Sequence, residues 1–216
     1  MYFSLAYSLF LLKAPRFVVT ALSMNAQDKV HFRTYRVPDE MPSNITVVEA
    51  ALATCASPSQ FAPASVGTGH KRRTYIGAGL GSNNPTRQVI TEARTLFGSE
   101  ANVSLILSLG SGHPGILPLT SDYGNDTFYQ LVREMMADSE QEAQRLHSQL
   151  DRTGIYFRFS VEQGLQRTYI QGQDLSWISA QASAYISRTE IVGRVDEAVI
   201  KMKQKTGGIP LNRIGM

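Results

Sequence analysis

The sequence predicts an α/β protein in which helices cover a sheet, and three features carry that prediction. Short β-branched runs alternate with stretches of helical periodicity from Arg16 onward. The segment Arg73 to Gly98 reads as a strand, a glycine-rich turn and a helix with a sharp start. The run Asn102 to Leu109, NVSLILSL, is almost continuously apolar, as expected of a strand covered on both faces in a parallel sheet. A chain of 216 residues with 43% hydrophobic residues fits one such domain and excludes a disordered chain.

Taken in order, the first twelve residues are apolar and end at Lys13. They are too short to span a bilayer, which takes about 20 apolar residues. They also lack the basic n-region of a signal peptide. Residues 1–15 are therefore set apart as an apolar extension, and the domain is expected over 16–216. Arg16 to Ser23 and Val30 to Arg36 read as strands, paired as a hairpin or as neighbours. Asn44 or Thr46 can cap a helix running through Thr54. Ala50, Ala51, Ala53 and Ala56 give that helix a small face that allows close approach. Pro58 and Pro63 bound a loop whose Phe61 is expected to plug the core.

Arg73 to Ile76 forms the next expected strand. Gly77, Gly79 and Gly81 follow and permit backbone angles that a side chain forbids. Asn84 is expected to cap a helix with Pro85 at its first position. Val89, Ile90, Ala93, Leu96 and Phe97 recur at helical spacing, and Gly98 supplies the stop. The run Asn102 to Leu109 empties into a second glycine-rich loop, Gly110 to Gly115. Thr127 to Leu150 reads as one long amphipathic helix or two. Met135 and Met136 are expected near the core, and Ser139 to Glu142 on a solvated face. Ile155 to Val161 alternates as an edge or half-exposed strand. Two helices, Trp177 to Ser187 and Glu190 to Lys205, complete the chain. Lysines in the last turn of the second suit its C-terminus.

Composition narrows the function. A net charge of +3 is too small to imply nucleic acid. The basic run His70-Lys71-Arg72-Arg73 has no interleaved aromatic residues on which bases could stack, so a solvated loop is expected. The single cysteine, Cys55, excludes an internal disulfide and makes an intracellular chain the expectation. His31, His70, His113 and His147 show no metal-ligand spacing, and no metal or cofactor is expected. Gly77-Ala78-Gly79-Leu80-Gly81 lacks the G-x-G-x-x-G spacing of a dinucleotide site. In the second loop, Ile116-Leu117 stand where a phosphate-binding P-loop carries Lys-Ser/Thr. No serine has glycines two residues away on both sides, as a nucleophile elbow requires. Ser82 and Ser111 lie in glycine-rich loops and read first as turn residues. His113 is the one histidine in a loop suited to a site.

Four ordered segments carry a resemblance to a known family. They are Phe32-Arg33-Thr34-Tyr35, Glu49 to Pro58 (EAALATCASP), Tyr75 to Pro85 (YIGAGLGSNNP) and Ser108-Leu109-Gly110-Ser111-Gly112. Together they resemble the patatin-like phospholipases, most closely the fungal branch. There the second segment reads close to E-A-A-R-A-T-S-A-A-P and the third close to D-G-G-L-G-x-N-N-P. The resemblance implies a three-layer α/β/α patatin-like fold with a mostly parallel central sheet, incomplete at the N-terminus. It also implies an acyl-ester hydrolase of lipids with a Ser-Asp dyad and glycine-rich amides for the oxyanion. The family's aspartate falls on Gly77, which has no side chain, and its serine elbow is absent. Ala78 replaces a glycine of the motif, and Gly79 keeps one. The implied protein is thus a truncated, degenerate patatin-like domain without an intact catalytic residue. Its implied partners are a lipid or membrane surface, a larger assembly or a second copy, and its implied location is cytoplasmic or membrane-peripheral. An active hydrolase would need a replacement base, Asp122 or Asp126, and a replacement nucleophile such as Ser111.

Overall fold

The computed structural model describes residues 18–24, 28–38, 40, 44–58, 61–79, 81–112, 125–136, 138–162, 175–204 and 208–214. It is an α/β structure. Strand β1 (Val18–Ser23) and strand β2 (Lys29–Arg33) pair antiparallel, with Val18 opposite Arg33 and Leu22 opposite Lys29. The few residues between them are too short a connection for a parallel crossover. β3 (Ala64–Val66) and β4 (Arg73–Gly77) also pair antiparallel, and β4 joins β1 with Ala21 opposite Gly77. The four-stranded sheet therefore runs β2-β1-β4-β3 with every pairing antiparallel. This differs from the mostly parallel sheet expected; for β1–β2 and β3–β4 the connections are too short for a parallel crossover. The short 3-10 turn between β3 and β4 carries His70, Lys71 and Arg72 exposed, followed by exposed Arg73, as a solvated loop should be.

Helix α1 (Val47–Cys55) starts as its sequence indicates. Thr46 and Glu49 form a reciprocal capping box, with Glu49 N–H donating to Thr46 Oγ1 at 3.2 Å and Thr46 N–H donating to Glu49 Oε2 at 2.8 Å. Its alanine face packs inward. Ala50 and Ala53 are buried with Ala21, Phe32 and Tyr75, while Ala51 is exposed. The Phe32 and Tyr75 rings meet edge to face at 5.1 Å. Phe61 does not plug this core and is 46% exposed. Its N–H donates to the Ser57 carbonyl at 3.0 Å.

Side chains alternate across β2, so Phe32 faces α1 while His31 and Arg33 face away. Those two meet Glu92 on α2 (Thr86–Phe97), so α2 is tied to the face of the sheet opposite α1. Gly98 stops α2 with φ near +84°, a conformation that costs glycine little. Pro85 stands one position earlier than expected, as the capping residue before Thr86.

The apolar run after α2 does not form one buried strand. It splits into β5 (Asn102–Val103) and β6 (Ile106–Leu109), and Leu109 is 49% exposed. The split follows from the partners: β5 pairs antiparallel with β8 (Ile209–Pro210), and β6 pairs parallel with β7 (Tyr156–Phe159). The segment between β6 and β7 includes α3 (Asn125–Met136) and α4 (Glu140–Leu150), long enough for the crossover that a parallel pair requires. The stretch is thus two helices, one of the two arrangements that the sequence allows. Met135 and Met136 are exposed rather than near the core, because α3 turns that face to solvent. Tyr156 and Phe157 are both buried, so β7 is not half-exposed, and among the described residues it takes the edge position that was the other expectation. Ile90, Ala93, Val103, Leu146, Leu150, Ile155 and Leu211 form a second core beside it. Arg94 clamps the C-terminal segment onto this core by donating to the Leu211 and Ile214 carbonyls. A third, smaller cluster joins α5 (Leu175–Ile186) to α6 (Thr189–Gln204) through Tyr185 and Ile191.

Candidate functional site

The turn after β4 holds the positions singled out in the sequence. Gly77 is the last residue of β4, and its N–H donates to the Ala56 carbonyl at 2.9 Å, just beyond the end of α1. A Cβ at this position would lie 2.6 Å from the Thr54 carbonyl oxygen. That is backbone, fixed by the last turn of α1, so the glycine is required by close approach rather than by its own φ. Ala78 is buried and Gly79 is exposed, with open space around the latter. Gly81 has φ +90° and turns the chain into the buried run Ser82-Asn83-Asn84. Of these positions, Gly77 forms the close contact with α1.

From this turn a polar network runs to the C-terminal end of the parallel pair, where α/β proteins commonly place their sites. Asn84 Nδ2 donates to the Ser139 carbonyl at 3.3 Å, and Asn84 Oδ1 accepts from Thr86 N–H at 3.3 Å and from Thr86 Oγ1 at 2.6 Å. Thr86 Oγ1 also lies 3.1 Å from Ser108 Oγ. The Asn84 oxygen can only accept, so the single Thr86 proton goes there and Thr86 accepts from Ser108. Arg158 in turn donates to Ser108 Oγ at 3.0 Å and pairs with Glu140 at 2.8 Å. The Ser108 proton is therefore committed along a directed chain from guanidinium to amide. Among the described residues no group hydrogen-bonded to Ser108 can take that proton as a base, and the chemistry of these bonds is that of a structural tie. The Tyr156 hydroxyl is buried beside Ser108 and Asn84 without a bond of good geometry, and burial pushes its pKa up.

Glu140 and Glu142 do not lie on a freely solvated face. Glu140 pairs with Arg158, and Glu142 pairs with Arg87 at 2.7 Å. Both ion pairs fasten α4 to its surroundings. Gly110 ends β6 with its N–H on the Phe159 carbonyl at 2.8 Å, and a Cβ there would crowd Ser160 Cβ at 2.7 Å. Ser111 is half-buried in the loop that follows. Ser82 Oγ accepts from Gln88 Nε2 at 3.2 Å. Neither serine is joined by any hydrogen bond or ion pair described here to a carboxylate or a histidine. His113, Leu80 and Asp122 lie outside the described residues, as does the side chain of Asp126.

The histidines separate by position. His70 is exposed, and His147 sits exposed 3.6 Å from Asp151 one helical turn on. His31 belongs to a cluster that sequence reasoning missed. Glu92, 8% exposed, accepts from Arg33 at 2.6 Å through Nε and at 2.5 Å through Nη2, and from the Tyr35 hydroxyl at 2.9 Å. Arg33 also donates to Glu40 at 2.6 Å. Burial pushes the Glu92 pKa up, but the bonds from Arg33 and Tyr35 outweigh it and hold the carboxyl below its usual value. Burial and the bond to Glu92 raise the Tyr35 phenol, and the bond to Glu92 raises the Arg33 guanidinium. His31 Nδ1 is 3.7 Å from Glu92, and its Nε2 is buried without a partner, so burial lowers its pKa. The one signal in the sequence was an acid on the same helical face as Val89 and Leu96, opposite a strand with Arg33 two residues before Tyr35.

Among the described residues, no group of three His, Cys, Asp or Glu side chains could hold a metal ion. Among them, too, no helix is long and apolar enough to cross a membrane. No protein-family model matches the chain, and a search of curated proteins finds no match.

Proposed function

We propose that this chain is a degenerate patatin-like domain with a non-catalytic role, related to lipid acyl hydrolases but lacking their Ser-Asp dyad. The finer architecture, three α/β/α layers of the patatin type, belongs to this proposal. It is supported by the four ordered motifs and by helices tied to both faces of one sheet. The observation that carries the reading is the packing at Gly77. A hydrolase of this type needs a base beside its nucleophile and donors aimed at the developing oxyanion. Position 77 is instead filled by the last turn of α1, with Thr54 O where a side chain would begin. The 216 residues also contain no serine elbow. Losing a member of such a unit costs several orders of magnitude in rate.

Lipid or membrane surfaces, other proteins and a second copy of the chain are the proposed partners. The purified chain is expected to release no fatty acid from phospholipid and no phenolate from p-nitrophenyl esters. Turnover abolished by a single serine substitution would overturn the reading.

A further inference from the structure

A cleft separate from the β4 turn lies at the N-terminal end of the β6–β7 pair, the end opposite Gly110. Its volume is about 220 Å³, and Ser104, Thr153, Ile155, Lys201, Gln204, Gly208 and Ile209 line it. That volume matches roughly seven waters at about 30 Å³ each, below the range of about 300–1,000 Å³ usual for ligand pockets. It is too small for an acyl chain and large enough for a compact polar molecule.

Its chemistry is dominated by donors. Lys201, in the last turn of α6, is half-buried and runs over Gly154, whose ideal Cβ would be 3.7 Å from Nζ. Gly154 adopts φ +60° and leaves open the space that the ammonium reaches across. Ser104 supplies a half-buried hydroxyl. The Thr153 hydroxyl is already committed to the Leu150 carbonyl at 2.5 Å. Gly208, at φ +126°, brings the backbone so close to Ser104 that a Cβ would lie 2.9 Å from the Ser104 nitrogen. Ile155 and Ile209 give the cleft an apolar part. Among the described residues no carboxylate lines it.

We propose that this cleft binds a small oxyanion, a phosphate or a short carboxylate, with Lys201 as the charge partner and Ser104 as the hydrogen-bond donor. An ammonium in a partly enclosed cleft attracts an anion more strongly than one in bulk water, because the local dielectric is lower. The competing acceptors are the last carbonyls of α6, which a lysine in the final turn can also satisfy. The two roles separate experimentally: helix capping is independent of added anion, and oxyanion binding is not.

The test uses the full chain, titrated with inorganic phosphate, sulfate and acetate against chloride at matched ionic strength, with thermal midpoint and calorimetric binding as readouts. A ligand that binds only the native state raises stability with its concentration. Phosphate or acetate is expected to raise the midpoint saturably, and which of them acts identifies the oxyanion. Lys201→Met should weaken binding at least tenfold, Lys201→Arg should keep most of it, and Ser104→Ala should weaken it several-fold. Should Lys201→Met fold poorly, Lys201→Arg and Ser104→Ala still provide the comparison. The proposal is overturned by no saturable shift in the wild type, or by equal shifts in the wild type and Lys201→Met. Failure here would leave the non-catalytic reading untouched, since that reading rests on Gly77.

Discussion

Replacing Gly77 with alanine isolates the contact on which the functional reading rests. The new Cβ would sit 2.6 Å from the Thr54 carbonyl oxygen, well inside van der Waals contact, and would meet backbone rather than a flexible side chain. The strand or the end of α1 must move by several tenths of an ångström. That motion pulls on the hydrogen bond from Gly77 N–H to the Ala56 carbonyl, 2.9 Å long. Overpacking of this kind costs about 1–3 kcal/mol, and a weakened buried hydrogen bond adds up to about 1 kcal/mol. The expected destabilisation is therefore about 1–4 kcal/mol, read from urea unfolding with an unchanged m-value. Gly77→Asp should cost more, since its carboxylate would enter beside a carbonyl oxygen and lose hydration. It should also restore no hydrolysis. A Gly77→Ala variant within about 0.5 kcal/mol of wild type, the range of neutral surface changes, would refute the close-approach argument.

Other outcomes follow from the ion cluster and the cap. Glu92→Ala should destabilise by about 3–5 kcal/mol, because it leaves Arg33 buried without its main partner; urea unfolding measures this. His31 has a folded pKa below its ordinary 6.5, so the stability it contributes is present above that pH and lost as pH falls below it. The groups facing it are Glu92, Arg33, Glu40 and Lys29, and His31→Gln should flatten the fall in stability just below pH 6.5. Glu92, held below its ordinary 4.5, should add a further loss only at more acid pH. Thr46→Ala should remove the α1 cap at about 1 kcal/mol, measured by thermal or urea unfolding.

Local signals in the sequence indicated local structure well. Thr46, one of the two cap candidates with Asn44, marked the start of α1, the glycine at 98 marked the end of α2, and the Arg73 run marked β4. Each depends on bonds within a few residues. Asn84 was half right: its side chain accepts the Thr86 N–H, but Pro85 stands before the helix instead of inside it.

What depended on distant partners was not legible. Asn102 to Leu109 is continuous in the sequence, yet β5 and β6 part because β8 and β7 claim different halves of it. Phe61, Met135 and Met136 are apolar and exposed, since hydrophobicity alone does not say which face meets a neighbour. Glu92 reads as a surface acid until Arg33 and Tyr35, some sixty positions earlier, are brought against it. At the β4 turn, the sequence located the glycine. Only the structure revealed that α1 fills the space a side chain would need.

The most direct measurement is acyl-ester hydrolysis by the purified chain, using phospholipid vesicles and p-nitrophenyl esters as substrates. The account predicts rates equal to the buffer blank, unchanged by Ser82→Ala or Ser111→Ala. Enzyme-dependent turnover that either substitution abolishes would contradict it.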